Sequence, residues 1–120
     1  MILEDDEDIL TLYSDYLSKM GHRVLSTYVN ADNILHDIDV EPPDIYIIDY
    51  KLLGNMNGLE VAIEILKKFS SACILFISGF EMLEMELSKH DIFCDKKIAV
   101  LIKPIHLSRI QDSLLRLLQN

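Results

Sequence analysis

The sequence predicts an α/β fold built on one parallel sheet with helices on both faces, and three observations carry that expectation. Ile45-Tyr46-Ile47-Ile48 runs apolar without alternation straight into Asp49, as a strand buried on both faces does. Strand-like and helix-like patterns alternate five times along the chain, and parallel neighbours need a right-handed, usually helical crossover. Finally, three apolar strands deliver charge at their carboxyl tips. Ile2-Leu3 leads into Glu4-Asp5-Asp6, the central run into Asp49, and Val100-Leu101-Ile102 into Lys103-Pro104. Open α/β sheets hold their ligands at that edge. Five units in 120 residues suggest a doubly wound, flavodoxin-like (βα)5 sheet of order 2-1-3-4-5.

Strand one is Ile2-Leu3, short because the acids begin at Glu4. Helix one is expected from about Asp6 to Met20, with Ile9, Tyr13, Tyr16, Leu17 and Met20 at helical spacing and Gly21 ending it. Strand two is His22 to about Ser26. Helix two covers Ala31 to about Ile38, with Asn30 as its candidate cap. Pro42-Pro43 stops that region before strand three, Ile45 to Asp49. Gly58 precedes helix three, Leu59 to Phe69, whose stripe is Leu59, Ala62, Ile63 and Leu66. Strand four is Cys73 to Ser78, and helix four is Glu81 to about Lys89. Strand five is Ile98 to Ile102. Helix five runs from His106 to Leu118 on an inner stripe of Leu107, Ile110, Leu114 and Leu117.

Residues 1–120 are expected to make one domain. A hydrophobic content of 50% argues against disorder. The formal charge of −9 argues against a nucleic-acid surface, which needs clustered Lys and Arg; Lys67-Lys68 and Lys96-Lys97 are the only basic doublets. Cys73 and Cys94 make neither a disulfide framework nor a CxxC motif, and Cys73 reads as a small buried hydrophobe. His22, His36, His90 and His106 lack ligand spacing. No apolar run reaches membrane-spanning length and no signal peptide is visible, so a cytoplasmic location without a membrane partner is expected.

In the expected strand order, the ends of strands one, three, four and five meet at one crevice. Strand one brings Glu4, Asp5 and Asp6; strand three brings Asp49; strand four brings Ser78-Gly79; strand five brings Lys103. Crowded carboxylates favour a hard divalent cation, and Mg²⁺ suits a few carboxylates with oxygen ligands and retained water. A carboxylate can also act as a nucleophile and form an aspartyl-phosphate. Mg²⁺ and Lys103 would then balance charge on the equatorial oxygens, while the Ser78 hydroxyl and the Gly79 N–H bind the remaining one.

These residues resemble the receiver domain of two-component response regulators over essentially the whole chain. That family carries an acidic pair after strand one, a phosphorylated Asp after strand three, a Thr or Ser after strand four and a Lys-Pro after strand five. The pair falls on Glu4 and Asp5, with Ile9 four residues past the second acid and Asp6 as the alternative partner. Asp49 takes the phosphoacceptor position, Ser78 the hydroxyl position and Lys103 the lysine position. The resemblance implies Mg²⁺ held by Asp5, Asp49 and the backbone carbonyl of Lys51, with Glu4 reaching it through water. It implies Lys103 paired with Asp49 at rest. The phosphoryl donor would be a histidine kinase or phosphotransfer protein. The protein is expected to be no enzyme beyond its own phosphorylation and dephosphorylation.

Three departures stand out. Leu53 occupies the place where the family often has Pro, in a loop to Gly58 that is one residue longer than usual. Val100 replaces the aromatic that usually swings with the hydroxyl residue. Cys94-Asp95-Lys96-Lys97 replaces the small-residue turn into strand five. An output domain or partner is expected at the helix 4–strand 5–helix 5 face, where Met82, Met85, Leu115 and Leu118 lie off the inner stripes, and a weak homodimer is compatible with it. Without the aromatic, phosphorylation is expected to change affinity there only modestly. Two rival readings stay open. One is a pseudo-receiver that docks proteins without phosphorylation. The other is a small Mg²⁺-dependent aspartate-nucleophile phosphatase, which Glu7 and Asp8 after the acids fit poorly.

Overall fold

The computed structural model describes residues 1–31 and 34–119. Five strands form one parallel sheet: β1 (Ile2–Leu3), β2 (Thr27–Tyr28), β3 (Ile45–Ile48), β4 (Cys73–Ser78) and β5 (Ile98–Ile102). Their order is β2-β1-β3-β4-β5, as the alternation predicts. The crossovers carry α1 (Glu7–Lys19), α2 (Ile34–Val40), α3 (Gly58–Lys68) and α4 (Leu83–Ser88), and α5 (Leu107–Leu118) closes the chain. A 3₁₀ turn at Asp91–Phe93 fills part of the long stretch before β5.

The pleat divides each strand between two cores. Leu3, Tyr46, Ile48, Ile74 and Phe76 face α2, α3 and α4, where they meet Ile34, Ile38, Val61, Ile65 and Leu83. Ile2, Ile45, Ile47, Leu75, Ile77 and Leu101 face Tyr13, Leu17, Ile110 and Leu114 of α1 and α5. All four β3 residues are therefore buried, which explains their unbroken apolar run. Cys73 is buried in the second core.

Several expectations shift. Strand two lies at Thr27–Tyr28, not His22–Ser26. Its partner β1 offers only Ile2 and Leu3, paired with Thr27 and Tyr28, so the ladder forms where that backbone is and not where the apolar pattern begins. α2 runs Ile34–Val40 instead of starting at Ala31. Residues 32 and 33, in the expected first turn, lie outside the described residues. α4 is shorter than expected, and Met20 is 45% exposed instead of completing the α1 stripe. The end of α1 holds. Gly21 takes a left-handed φ of 92° after α1. His22 N–H then bonds the Leu17 carbonyl at 3.0 Å, satisfying a terminal carbonyl.

The long loop after β3 has a definite course. Leu53 N–H donates to the Val29 carbonyl at 3.1 Å, and Leu53 forms an isolated parallel bridge with Asn30. The loop thereby straps β3 to the continuation of β2, across the carboxyl end of the short β1 that separates them.

Candidate functional site

Each strand end contributes through its own local geometry. Asp6 leaves β1 as the N-cap of α1, its Oδ1 accepting from Asp8 N at 2.9 Å and Ile9 N at 3.2 Å. That commitment separates Asp6 from the acids ahead of it. Glu4 is only 1% exposed, and its Oε2 accepts from Asp5 N at 2.9 Å. Asp49 N–H is held by the Leu3 carbonyl at 2.9 Å, and its side chain is buried. Carboxylate oxygens of Glu4, Asp5 and Asp49 all lie within 4.8 Å of one another. Such spacing of hard oxygen donors fits a divalent cation with retained water.

Lys103 reaches into this group from β5. Its Nζ stands 2.6 Å from Glu4 Oε1 and 3.4 Å from Asp49 Oδ2. The nearer resting partner is thus Glu4, and Asp49 comes second. Lys103 N–H also bonds the Ser78 carbonyl at 2.8 Å, which fixes the tip of β5 against that of β4. Ser78 is buried, and its Oγ accepts from Phe80 N at 3.1 Å. Gly79 has open space where a Cβ would sit. Asp5, Asp6, Ile9, Asp49, Tyr50, Lys51, Ser78, Gly79, Phe80 and Lys103 line one open crevice.

One ammonium serves two buried carboxylates here. Burial foremost, then the hydrogen bond that the protonated carboxyl gives Asp49, pushes the Glu4 carboxyl up to about 8, against the pull of Lys103. Burial acts to lower the Lys103 ammonium, but Glu4 and Asp49 outweigh it and its pKa rises. The sign follows. Between about pH 4.5 and about 8 the metal-free fold binds a proton that the unfolded chain has lost, so stability from this pair falls as pH rises. A bound cation displaces that proton. Mg²⁺ affinity, followed by NMR shifts of Asp5 and Asp49, is therefore expected to rise on the order of tenfold from about pH 6 to about pH 9. Equal affinities would show the pair fully ionised without a metal.

The family model described as the response regulator receiver domain matches residues 1–115. The chain belongs to that family. The receiver domain of NtrX from Brucella abortus is 27% identical over 98% of this chain and 95% of its own, with a TM-score of 0.82. This chain spans 26% of a longer NtrX chain from the same organism. A CheY-like receiver domain protein from Methanospirillum hungatei JF-1 shares the fold at 23% identity, covering 96% of this chain and 88% of that one, with a TM-score of 0.82. TrrA from Thermotoga maritima, solved in complex with Mg²⁺ and BeF, matches at TM-score 0.82 and 24% identity over 98% of this chain and 96% of that one. A comparison with curated protein sequences returns no match.

In this receiver Asp5, Asp49, Lys51, Ser78, Gly79 and Lys103 line the one crevice, and Glu4 lies behind it within 4.8 Å of the Asp5 and Asp49 carboxylates. Two features go beyond the sequence reading. Gly58 packs so closely on β3 that a Cβ would lie 2.1 Å from the Asp49 carbonyl oxygen. The rings of Tyr50 and Phe80 stack across the mouth with centroids 4.6 Å apart. The glycine had a sequence signal, standing just before an apolar helical stripe; the ring pair joins two loops and had none.

The lysine geometry yields a further expectation. Lys103→Met removes a positive charge beside the Glu4, Asp5 and Asp49 carboxylates, so Mg²⁺ should bind several-fold tighter in the variant. Beryllofluoride should perturb the crevice less than in the parent. Stability should fall only about 1–2 kcal/mol, because Glu4, its carboxyl already raised, can answer by taking up a proton. Weaker Mg²⁺ binding in the variant would show that Lys103 holds the carboxylates in place instead of competing for them.

Proposed function

We propose that the chain is a single receiver domain that accepts a phosphoryl group on Asp49 from a histidine kinase or phosphotransfer protein. The observation that carries this reading is the buried Asp49 carboxylate, with Lys103 Nζ at 3.4 Å and the carboxylates of Glu4 and Asp5 within cation-sharing distance. An Asp49 oxygen attacks the phosphorus of a phosphohistidine. The P–N bond breaks, and the imidazole keeps the electron pair and takes a proton from solvent. Lys103 swings from its resting contacts toward the equatorial oxygens, and Ser78 Oγ–H donates to another. Asp5, Asp49 and the Lys51 carbonyl, with Glu4 behind them, would hold Mg²⁺, which would supply the remaining positive charge. Water attack at phosphorus then returns Asp49 to a carboxylate, so the only reactions catalysed are the chain's own.

The site acts in the cytoplasm, where histidine kinases present their phosphohistidine; among the described residues no helix is long and apolar enough to cross a membrane. An output domain, a partner or a weakly associated second copy meets α4–β5–α5, where Met82, Met85, Leu115 and Leu118 are 45–55% exposed. Incubation with Mg²⁺ and acetyl phosphate tests the reading. The expected result is a mass gain of one phosphoryl group per chain that chelation of Mg²⁺ prevents. No gain at any Mg²⁺ level would favour the docking-only reading.

A further inference from the structure

We infer that Tyr50 and Phe80 are positioning residues that link Ser78 to the N-terminal turn of α3, so that the state of Asp49 is read out at α3. The inference rests on the phosphoacceptor reading and names where its signal goes.

Ser78 is the start of the path. Its buried Oγ accepts from Phe80 N at 3.1 Å. A hydroxyl that turns to donate to an oxygen on Asp49 changes rotamer and leaves that N–H. The Phe80 backbone then loses the contact that sets its position. The Phe80 ring lies against Tyr50, with centroids 4.6 Å apart and planes tilted by 30°. Offset rings at this separation attract each other, so displacement of one is felt by the other. Tyr50 in turn touches α3 twice. Its hydroxyl oxygen accepts from Asn57 Nδ2 at 3.4 Å, and its carbonyl accepts from Gly58 N at 2.7 Å.

Asn57 is the cap of α3. Its Oδ1 accepts from Glu60 N at 2.9 Å, and Glu60 Oε1 accepts from Asn57 N at 3.0 Å. A reciprocal pair of this kind has two arrangements, closed or open, and no intermediate that satisfies both bonds. The α3 turn is therefore a two-state element that a movement of Tyr50 can bias. β5, by contrast, carries no ring. Val100 stands in register with Phe76 and is only half-buried. The ring coupling at this crevice thus runs from β4 to the β3–α3 loop, away from α5.

Two substitutions cut the path at different joints. Phe80→Leu keeps apolar bulk and removes the ring pair. Tyr50→Phe keeps the ring pair and removes the acceptor for Asn57. The measurement is the change in backbone amide shifts on adding beryllofluoride and Mg²⁺ to the whole chain. In the parent, Ser78, Lys103 and the distant Glu60 amide should all respond. In both variants the Ser78 and Lys103 responses should remain, and the Glu60 response should drop at least severalfold. A merely structural role for the rings would move the resting shifts and leave the Glu60 response. A persistent Glu60 response in either variant, or a parent response confined to the crevice, overturns the coupling. A parent with no response at Asp49, Ser78 or Lys103 overturns the phosphoacceptor reading and the coupling with it.

Discussion

Asp49→Asn is expected to abolish phosphoryl uptake and, in the same protein, to raise the stability of the metal-free fold. The loss of uptake follows from the nucleophile: an amide nitrogen or oxygen forms no stable acyl phosphate. The gain in stability follows from the charge count. Glu4 and Asp49 are both buried, and among the described residues Lys103 is the one ammonium between them. Burial is the first cause of the raised Glu4 carboxyl, and the hydrogen bond and charge of Asp49 add to it. An amide at position 49 removes both Asp49 causes. Glu4 then ionises more readily and has Lys103 to itself at 2.6 Å. At about pH 8, where the parent pair is forced to share one cation, the variant should gain on the order of 1 kcal/mol. At about pH 4.5 the difference should be far smaller, since the proton that Glu4 keeps in the folded parent is then partly kept by the unfolded chain as well. Urea denaturation at the two pH values reads the effect directly. Mg²⁺, expected to stabilise the parent by binding its folded state, should stabilise the variant far less. A variant less stable than the parent at about pH 8 would mean that the Asp49 charge is a net support of the fold.

Much of the architecture was legible because the apolar periods are unambiguous. β3 and β4 run apolar without alternation, β4 up to its terminal Ser78, so only strands buried on both faces fit them, and the order 2-1-3-4-5 follows from their alternation with helices. The crevice was legible for the same reason: a charge that ends an apolar strand has one place to go. What the sequence could not show depends on partners distant in the chain. β2 is defined by the two residues that β1 presents, and Val24-Leu25 looked as strand-like as Thr27-Tyr28. The order of Lys103 contacts, Glu4 before Asp49, depends on how deep Glu4 sits, and spacing along a chain carries no depth. Leu53 signalled an altered loop, but the strap to Val29 that the loop makes is a tertiary hydrogen bond.

The second large effect belongs to Gly58, where local propensity and tertiary packing point in opposite directions. Gly58 is the first residue of α3, just inside the Asn57 cap, and its backbone does not require a left-handed conformation. Helix propensity alone would make Gly58→Ala stabilising by up to about 1 kcal/mol. The packing opposes this. An added Cβ would lie 2.1 Å from the Asp49 carbonyl oxygen, 2.9 Å from the Asp49 carbonyl carbon and 2.9 Å from Ile48 Cγ2. The first two are backbone atoms at the end of a buried central strand and cannot rotate away. Relief requires α3 to retreat, which breaks the 2.7 Å bond from Gly58 N to the Tyr50 carbonyl. Overpacking of this kind costs about 1–3 kcal/mol or more, enough to overcome the propensity gain. The expected net loss is about 2 kcal/mol by urea denaturation. Phosphoryl uptake from acetyl phosphate should fall as well, since the retreat displaces the backbone that carries Asp49. Gly79→Ala is the control, because its Cβ would meet nothing within 4 Å. That variant should stay within about 0.5 kcal/mol of the parent. A Gly58→Ala protein as stable as the parent would show that α3 can shift outward freely, and that the close approach at Asp49 is not what sets the helix against the sheet.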